Sequence, residues 1–178
     1  MKLSSLLFLF SLASLTSLCF LALQAHGGPS PFDLALQALQ DKIEYKFVNI
    51  DLLRRALTHS SYSRANNRAL SVFGSNLLAT FASLNCLDND IDVSPLNLGR
   101  AIANATDVRR CAAAGLSLGL DMVIRVVATA EISPKSPSIV CGAFRAVLGA
   151  VALDSGKLDR AAEVFSTLSS KRSEFLSA

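Results

Sequence analysis

Apolar residues recur three and four positions apart through most of this 178-residue chain. This spacing places them along one face of an α-helix. The longest such stretch runs from about Asn67 to Asn85, and its predicted buried stripe consists of Leu70, Phe73, Leu77, Phe81 and Leu84. The one extended candidate is residues 122–130, which are mostly β-branched and apolar and could equally form a buried loop or a helix. The pattern predicts an all-α fold in a single domain.

Local signals indicate where the helices begin and end. Ser94-Pro95 and Ser136-Pro137 each supply a cap followed by a first-turn proline. Thr106-Asp107 caps a further predicted helix, which Gly115 can terminate. The predicted helices begin near residues 32 and 49 and cover about 67–85, 96–105, 107–115, 137–154 and 158–170.

The N-terminus reads as a targeting segment. Leu3–Leu23 contains no charge, Lys2 precedes it, and no acidic residue occurs before Asp33. A positive start, an apolar run and small residues at its end are typical of a secretory signal peptide, here over residues 1–25, with cleavage after Ala25 or Gly27. We therefore expect a linker over residues 26–32 and a helical domain over residues 33–172.

Two other readings of this segment remain open. The uncharged run is long enough to just span a bilayer as an uncleaved anchor, which would place the protein at a membrane. A mitochondrial transit peptide fits less well, because such segments are rich in arginine and the first arginine here is Arg54. The sequence favours the secretory pathway, either the lumen of the endoplasmic reticulum or the exterior, with the mitochondrion as the alternative.

Charge and cysteine content exclude several classes of protein. The chain has 17 Lys and Arg and 14 Asp and Glu, and Lys2 is the one charge within residues 1–25. The remainder therefore has a net charge near +2, too small to indicate nucleic-acid binding by bulk charge. Cys86, Cys111 and Cys141 remain after removal of this segment, an odd number that predicts at least one free thiol or an intermolecular disulfide. Their apolar helical surroundings favour three small buried hydrophobic residues, and no Cys/His pair has zinc spacing.

Several short motifs together resemble the ribonuclease III family. A leucine-rich helix ends in Leu57-Thr58-His59, followed by Ser61-Tyr62, and Asn66-Asn67 and Phe73-Gly74 then arrive at the family's spacing. Further matches are Leu118-Gly119-Leu120, Pro137-Ser138-Ile139, Ala143-Phe144, Leu148-Gly149-Ala150 and Leu153-Asp154-Ser155-Gly156. The resemblance covers about residues 36–170 and implies the helical fold of a ribonuclease III endonuclease domain.

The same resemblance implies that the metal site of the family is degenerate here. The family has Glu, Asp, Asp and Glu at the positions of Ser71, Ser75, Gly142 and Arg145, and a further acidic position is Arg68. Those carboxylates hold Mg²⁺, which requires oxygen ligands and activates water against the phosphodiester. We therefore expect no catalytic residue, no metal and no cofactor in this chain. The acidic stretch 88–92 begins roughly 20 Å beyond Ser75 along a helix, and we interpret it as a solvated loop.

Other residues receive narrower expectations. Arg68 and Arg145 are candidate phosphate contacts where the metal site would be, although solvated arginines are the simpler interpretation. Asn104 begins an N-glycosylation sequon, which matters if the chain enters the secretory pathway. The resemblance implies a homodimer around the long signature helix, with Val72 and Phe73 at the interface. Because the family has an aromatic residue where Val72 stands, we expect a weaker dimer. His59 is structural in the family.

These expectations together predict a ribonuclease III-like pseudoenzyme that acts as a binding module in the secretory pathway. Within the family the chain is most similar to a plant single-domain member, which implies a role in fusion of nuclei (karyogamy) during plant reproduction. The expected partners are a second copy and an unidentified protein, with weak RNA binding, and a membrane only if the N-terminal segment is retained. The alternative is an RNA-binding or RNA-processing family member in an organelle or the nucleus.

Overall fold

A computed structural model describes residues 28–129 and 131–176, with side chains described as far as Thr167. The predicted signal peptide and its cleavage after Ala25 or Gly27 lie outside these residues. The compact unit that contains the functional region begins at Ala35.

The described residues form seven α-helices and no β-strand, which confirms the predicted all-α fold. The nearest approach to sheet structure among them is one isolated parallel bridge between Thr58 and Arg125. The helices are α1 (Pro31–Lys42), α2 (Ile50–Ala56), α3 (Arg68–Asn89), α4 (Pro95–Thr106), α5 (Val108–Ser117), α6 (Pro137–Ser155) and α7 (Leu158–Leu176), with a 3₁₀ turn at Leu120–Met122.

Helix α6 is the centre of the core. Twelve of its nineteen residues are buried, and it contacts α2, α3, α5 and α7. A helix that is apolar on every side is stable only when other elements cover it, and each fully buried large side chain contributes about 1.5–3 kcal/mol. Pro137 begins α6, and Gly156 ends it with a φ of 66°, a left-handed conformation that suits glycine.

Two described helices, α3 and α6, are long and apolar enough to cross a bilayer by length and composition. Core helices of globular proteins meet the same criteria. The two helices pack against each other in this fold, and two thirds of the apolar window in α6 is buried.

Two of the predicted helix caps form their hydrogen bonds, whereas Ser136 makes no side-chain cap hydrogen bond, although Pro137 begins α6 as expected. The Ser94 hydroxyl accepts a hydrogen bond from the Asn97 backbone N–H at 3.3 Å, and the Asp107 carboxylate accepts one from Arg110 at 2.9 Å. Helix α1 begins at Pro31, inside the expected linker, because Ser30 acts as its cap. The Ser30 hydroxyl accepts from the Asp33 N–H at 3.2 Å, and the Asp33 carboxylate accepts from the Ser30 N–H at 3.3 Å.

Three details of the helical prediction are wrong. Gly115 does not terminate α5: it is buried inside the helix, where an added Cβ would lie 2.6 Å from the side chain of Val140. The left-handed residue after the helix is Gly119, with a φ of 75°. In α3, Leu84 is 53% exposed and Phe73 is half-buried, whereas Gly74 and Leu78 are buried. Leu70, Leu77 and Phe81 are buried as predicted, and contact with α6 adds Gly74 to the buried face.

The extended candidate over residues 122–130 is a loop through its described part. After the 3₁₀ turn, the Arg125 N–H donates to the Leu57 carbonyl at 2.8 Å, and the His59 N–H donates to the Arg125 carbonyl at 2.9 Å. The loop is therefore attached by its backbone to the segment that follows α2.

The cysteine prediction is corrected for two of the three residues. Cys111 in α5 and Cys141 in α6 form a disulfide, with their Cα atoms 4.9 Å apart. Both are buried, as expected, but their role is covalent cross-linking of two core helices. Hydrophobic patterning places the sulfurs in the core and carries no information on pairing. Cys86 is a free, half-buried thiol.

Asp154 anchors the connection between α1 and α2 to the end of α6. Its carboxylate accepts hydrogen bonds from the Tyr45 hydroxyl at 2.9 Å and from the backbone N–H groups of Val48 and Asn49 at 2.8 Å each. Burial, with the hydrogen bond and negative charge of Asp154, raises the pKa of Tyr45 to about 12. The phenol therefore remains a donor at neutral pH.

Helices α3 and α6 cross with their backbones in contact. A Cβ added to Gly74 would lie 1.8 Å from the Arg145 carbonyl oxygen, and one added to Gly149 would lie 2.6 Å from the Leu70 carbonyl oxygen. Neither backbone atom can move aside as a flexible side chain would. The crossing therefore requires glycine at both positions.

We predict that Gly74→Ala destabilises the protein by about 3 kcal/mol, because the methyl group forces the two helices apart. Gly99→Ala in α4 is the matched control, since nothing lies within 4 Å of its added Cβ. That change should stabilise the protein by about 0.5–1 kcal/mol through the lower entropy of the unfolded chain. Denaturant unfolding measures both, and equal stabilities for the two variants would contradict the close crossing.

Candidate functional site

The α3–α6 crossing brings together the two pairs of family positions that the sequence singled out. Gly142 faces α3 so closely that its added Cβ would lie 3.7 Å from the Ser71 hydroxyl oxygen. Ser75 follows Gly74, whose own added Cβ would meet the Arg145 backbone. All four positions are half-buried. The crossing therefore places Ser71 opposite Gly142, and Gly74, the residue before Ser75, against the backbone of Arg145.

Arg145 points to the end of α4. Its Nη2 donates a hydrogen bond to the Thr106 carbonyl oxygen, one of the last carbonyls of that helix. A helix C-terminus carries partial negative charge, so the guanidinium is stabilised there without a carboxylate. Burial lowers the pKa of Arg145, and its Nε is buried without a hydrogen bond. The residue is thus not the solvated arginine that the sequence suggested: one of its donors is committed to α4.

Arg68 begins α3, and His59 lies in the segment that follows α2. Arg68 is exposed, and its charge is close enough to contribute to a lowered pKa of His59, for which burial is the larger cause. The Nδ1 of His59 accepts a hydrogen bond from the Ser61 N–H at 3.1 Å, which requires that nitrogen to be unprotonated. His59 holds its own loop together, as expected for a structural residue.

The residues at the crossing do not fit the Mg²⁺ that the family implies. Serine hydroxyls are weak neutral ligands, Gly142 offers no side-chain ligand, and Arg145 repels a cation. Among the described residues, no group of three or more His, Cys, Asp or Glu is placed to hold a metal ion. Asp88, Asp90 and Asp92 are exposed at the far end of α3.

An arginine surface organised by Asn66 was not predicted from the sequence. The Asn66 side chain donates to the Ser63 and Arg64 carbonyls at 3.0 and 2.9 Å and accepts from the Arg68 N–H at 3.1 Å. The Nε of Arg55 donates to the Asn66 carbonyl at 3.1 Å. Arg55, Arg64 and Arg68 are exposed around this one residue. The sequence did not reveal this cluster because Arg55 lies in a different segment from Arg64 and Arg68. Asn66, which belongs to one of the family motifs, was the residue that could have indicated it.

The remaining predicted residues lie on the surface. Val72 is 65% exposed, and Phe73 beside it is half-buried. Asn104 is exposed in the last turn of α4. The Thr106 hydroxyl of the sequon donates to the Ile102 carbonyl at 2.9 Å within the helix.

Comparison with known proteins agrees with this geometry. Residues 49–171 match a family model described as ribonuclease-III-like. The chain is 47% identical over 137 residues to Protein NUCLEAR FUSION DEFECTIVE 2 of Arabidopsis thaliana, covering 76% of this chain and 71% of that protein. It is 38% identical to Ribonuclease 3 of Albidiferax ferrireducens over 68% of this chain, but it spans only 54% of that enzyme.

A solved structure shows the same architecture. The nuclease domain of ribonuclease III from Campylobacter jejuni superimposes with a TM-score of 0.70 at 25% sequence identity, covering 75% of this chain and 94% of that one. That nuclease domain shows structural flexibility in a region involved in dimer formation. The family match, the identity to its relatives and the shared helical fold agree with the motifs at the α3–α6 crossing. The chain belongs to the ribonuclease III-like family.

Proposed function

We propose that this protein is a non-catalytic ribonuclease III-like binding module. The observation that carries the proposal is the set of side chains at the α3–α6 crossing: Ser71, Ser75, Gly142 and Arg145. Phosphodiester cleavage in this fold needs metal to bind the developing charge and to generate the nucleophile. A site with no carboxylate, and with one guanidinium bonded to the end of α4, does not supply that chemistry.

We predict that the purified chain neither binds Mn²⁺ stoichiometrically nor cleaves double-stranded RNA with Mg²⁺ or Mn²⁺. The matched variant carries Ser71→Glu, Ser75→Asp, Gly142→Asp and Arg145→Glu together. A Cβ at Gly142 has ordinary van der Waals space against Ser71, at 3.7 Å, so the new aspartate can be accommodated. This variant should regain Mn²⁺ binding by calorimetry. Stoichiometric metal uptake and metal-dependent cleavage by the natural chain would overturn the proposal.

We place this module in the secretory pathway. Two independent features support that location: the uncharged run Leu3–Leu23 behind Lys2, and the Cys111–Cys141 disulfide. Disulfides persist in oxidising compartments and are rare in the cytosol and nucleus, where thiols are kept reduced. The exposed Asn104 sequon is consistent with the same compartment.

Expression in plant cells tests the location. The mature protein should lack about its first 25 residues. After denaturation each chain should have one reactive thiol, that of Cys86, and reduction of the disulfide should raise the number to three. Endoglycosidase should increase its mobility, and Asn104→Gln should remove that change. Glycosylation of Asn104 is one expected consequence of entry into the lumen of the endoplasmic reticulum. Full-length, fully reduced protein in the cytosol, or import into mitochondria, would refute the proposed location.

The similarity to NUCLEAR FUSION DEFECTIVE 2 supports a role in fusion of nuclei during plant reproduction. A luminal protein can act in that process because the nuclear envelope is continuous with the endoplasmic reticulum. The role is one of binding, since the crossing lacks the means for hydrolysis.

We further propose that the module forms a homodimer through Val72 and Phe73. Val72 is 65% exposed on α3, and the related Campylobacter nuclease domain has a region involved in dimer formation. Valine fills less of a partner's socket than the aromatic residue of the family, so its burial contributes toward the lower end of the ~1.5–3 kcal/mol of a fully buried apolar side chain.

Light scattering at tens of micromolar should show a dimer. Val72→Asp should yield a monomer, whereas Leu96→Asp on α4, matched at 64% exposure, should remain a dimer. Val72→Phe should tighten association up to about tenfold, or ~1.4 kcal/mol, by adding buried apolar area. A natural chain that is monomeric at this concentration would contradict the dimer.

The second candidate function, RNA binding or processing, is favoured by the arginines grouped around Asn66. Arg55, Arg64 and Arg68 are exposed residues near Asn66, and arginine side chains are well suited to bind phosphate. This function requires a reduced chain outside the secretory lumen. The proposed measurements of the number of reactive thiols and of the cellular location therefore distinguish the two candidate functions.

A further inference from the structure

The half of α3 remote from the crossing borders a cavity of about 600 Å³, shared with α4 and α7. The rings of Phe81 and Phe165 form one wall, with centroids 6.2 Å apart and planes at 29°. Ala101 and Ala105 of α4 line the cavity. No residue of α4 is buried.

The size and lining of this cavity suit a small molecule. Ligand sites usually occupy about 300–1,000 Å³ and are lined mainly by apolar and aromatic groups with a few polar ones. Leu84, 53% exposed, also lines the cavity and adds apolar surface that a ligand would remove from water. The lining therefore favours an apolar body in contact with the two rings.

The charged residues around the cavity indicate which polar group such a ligand carries. Asp88 is the one charged residue among those that line it, and no lysine or arginine is among them. Asp90 and Asp92 follow in the exposed loop after α3. Aromatic faces and a carboxylate both attract an ammonium group, and the same carboxylate repels an anion.

We propose that the cavity between α3, α4 and α7 binds a small apolar ammonium compound, with its apolar body against Phe81 and Phe165 and its cation at Asp88. The free thiol of Cys86 lines the same cavity, so a bound ligand shields it from reagents. The inference is independent of the pseudoenzyme proposal, because it uses none of the four positions at the crossing.

A matched pair of probes tests the charge preference. The full chain carrying Cys19→Ser, which removes the thiol of the N-terminal segment, is titrated by calorimetry with 1-naphthylmethylammonium and with 1-naphthylacetate. We expect one saturable ammonium site and at least tenfold weaker binding of the anion. Reaction of Cys86 with Ellman's reagent should slow severalfold at saturating ammonium. Asp88→Asn, at an exposed position, should make the two affinities equal within about threefold.

Two leucine substitutions on α4 test whether the ligand binds in this cavity. Ala105→Leu projects three added carbons into the cavity and should weaken ammonium binding at least tenfold, whereas Ala103→Leu, on the exposed side of α4, should leave it unchanged. Far-ultraviolet circular dichroism verifies the fold of each variant. The proposal is overturned if the natural chain shows no saturable ammonium binding, if it binds both probes equally, or if Asp88→Asn retains the full preference. Unchanged binding in a folded Ala105→Leu variant would also reject the assigned cavity.

Discussion

The backbone contact between α3 and α6 is the constraint on which the rest of the molecule depends. Gly74 meets the Arg145 carbonyl, and Gly149 meets that of Leu70, so each helix contributes one glycine to a crossing with no side chains between the backbones. This contact fixes which face of each helix lies at the crossing. As a result, Ser71 and Gly142 oppose each other whatever side chains they carry. Backbone packing therefore sets the opposition of these two positions, and this opposition does not depend on bound metal.

Arg145 shows how a charge reversal at this site is accommodated. A cation half-buried beside a helix crossing would be costly if it had no partner. The end of α4 supplies one, because the Thr106 carbonyl accepts from the guanidinium and the last carbonyls of a helix carry partial negative charge. Arg145 thereby connects the crossing to α4, the helix that also carries the Asn104 sequon and lines the apolar cavity.

Helix type, order and approximate ends were predictable because they depend on local chemistry: apolar spacing, the Ser-Pro starts and the left-handed glycine after α6. The opposition of Ser71 and Gly142 was predictable through the family motifs. Pairing of Cys111 with Cys141, the burial of Gly115 and the bond from Arg145 to Thr106 were not, since each joins residues far apart in sequence. Arg68 was predicted as a phosphate contact, but its grouping with Arg55 and Arg64 was not, because the hydrogen bonds of Asn66, rather than any periodicity, bring these residues together.

Loss of the acids also changes the electrostatics of the core. Four carboxylates at one helix crossing repel one another, and the repulsion is strong where the sites are half-buried, so such a site depends on bound metal for its stability. Two serines and a glycine remove three of those charges, and Arg145 replaces the fourth with a cation bonded to α4. The repulsion that the metal would offset is therefore absent. The disulfide between α5 and α6 then cross-links the same core covalently, one residue from Gly142. A core arranged in this way can remain folded without divalent metal, which is consistent with the non-catalytic binding module that we propose.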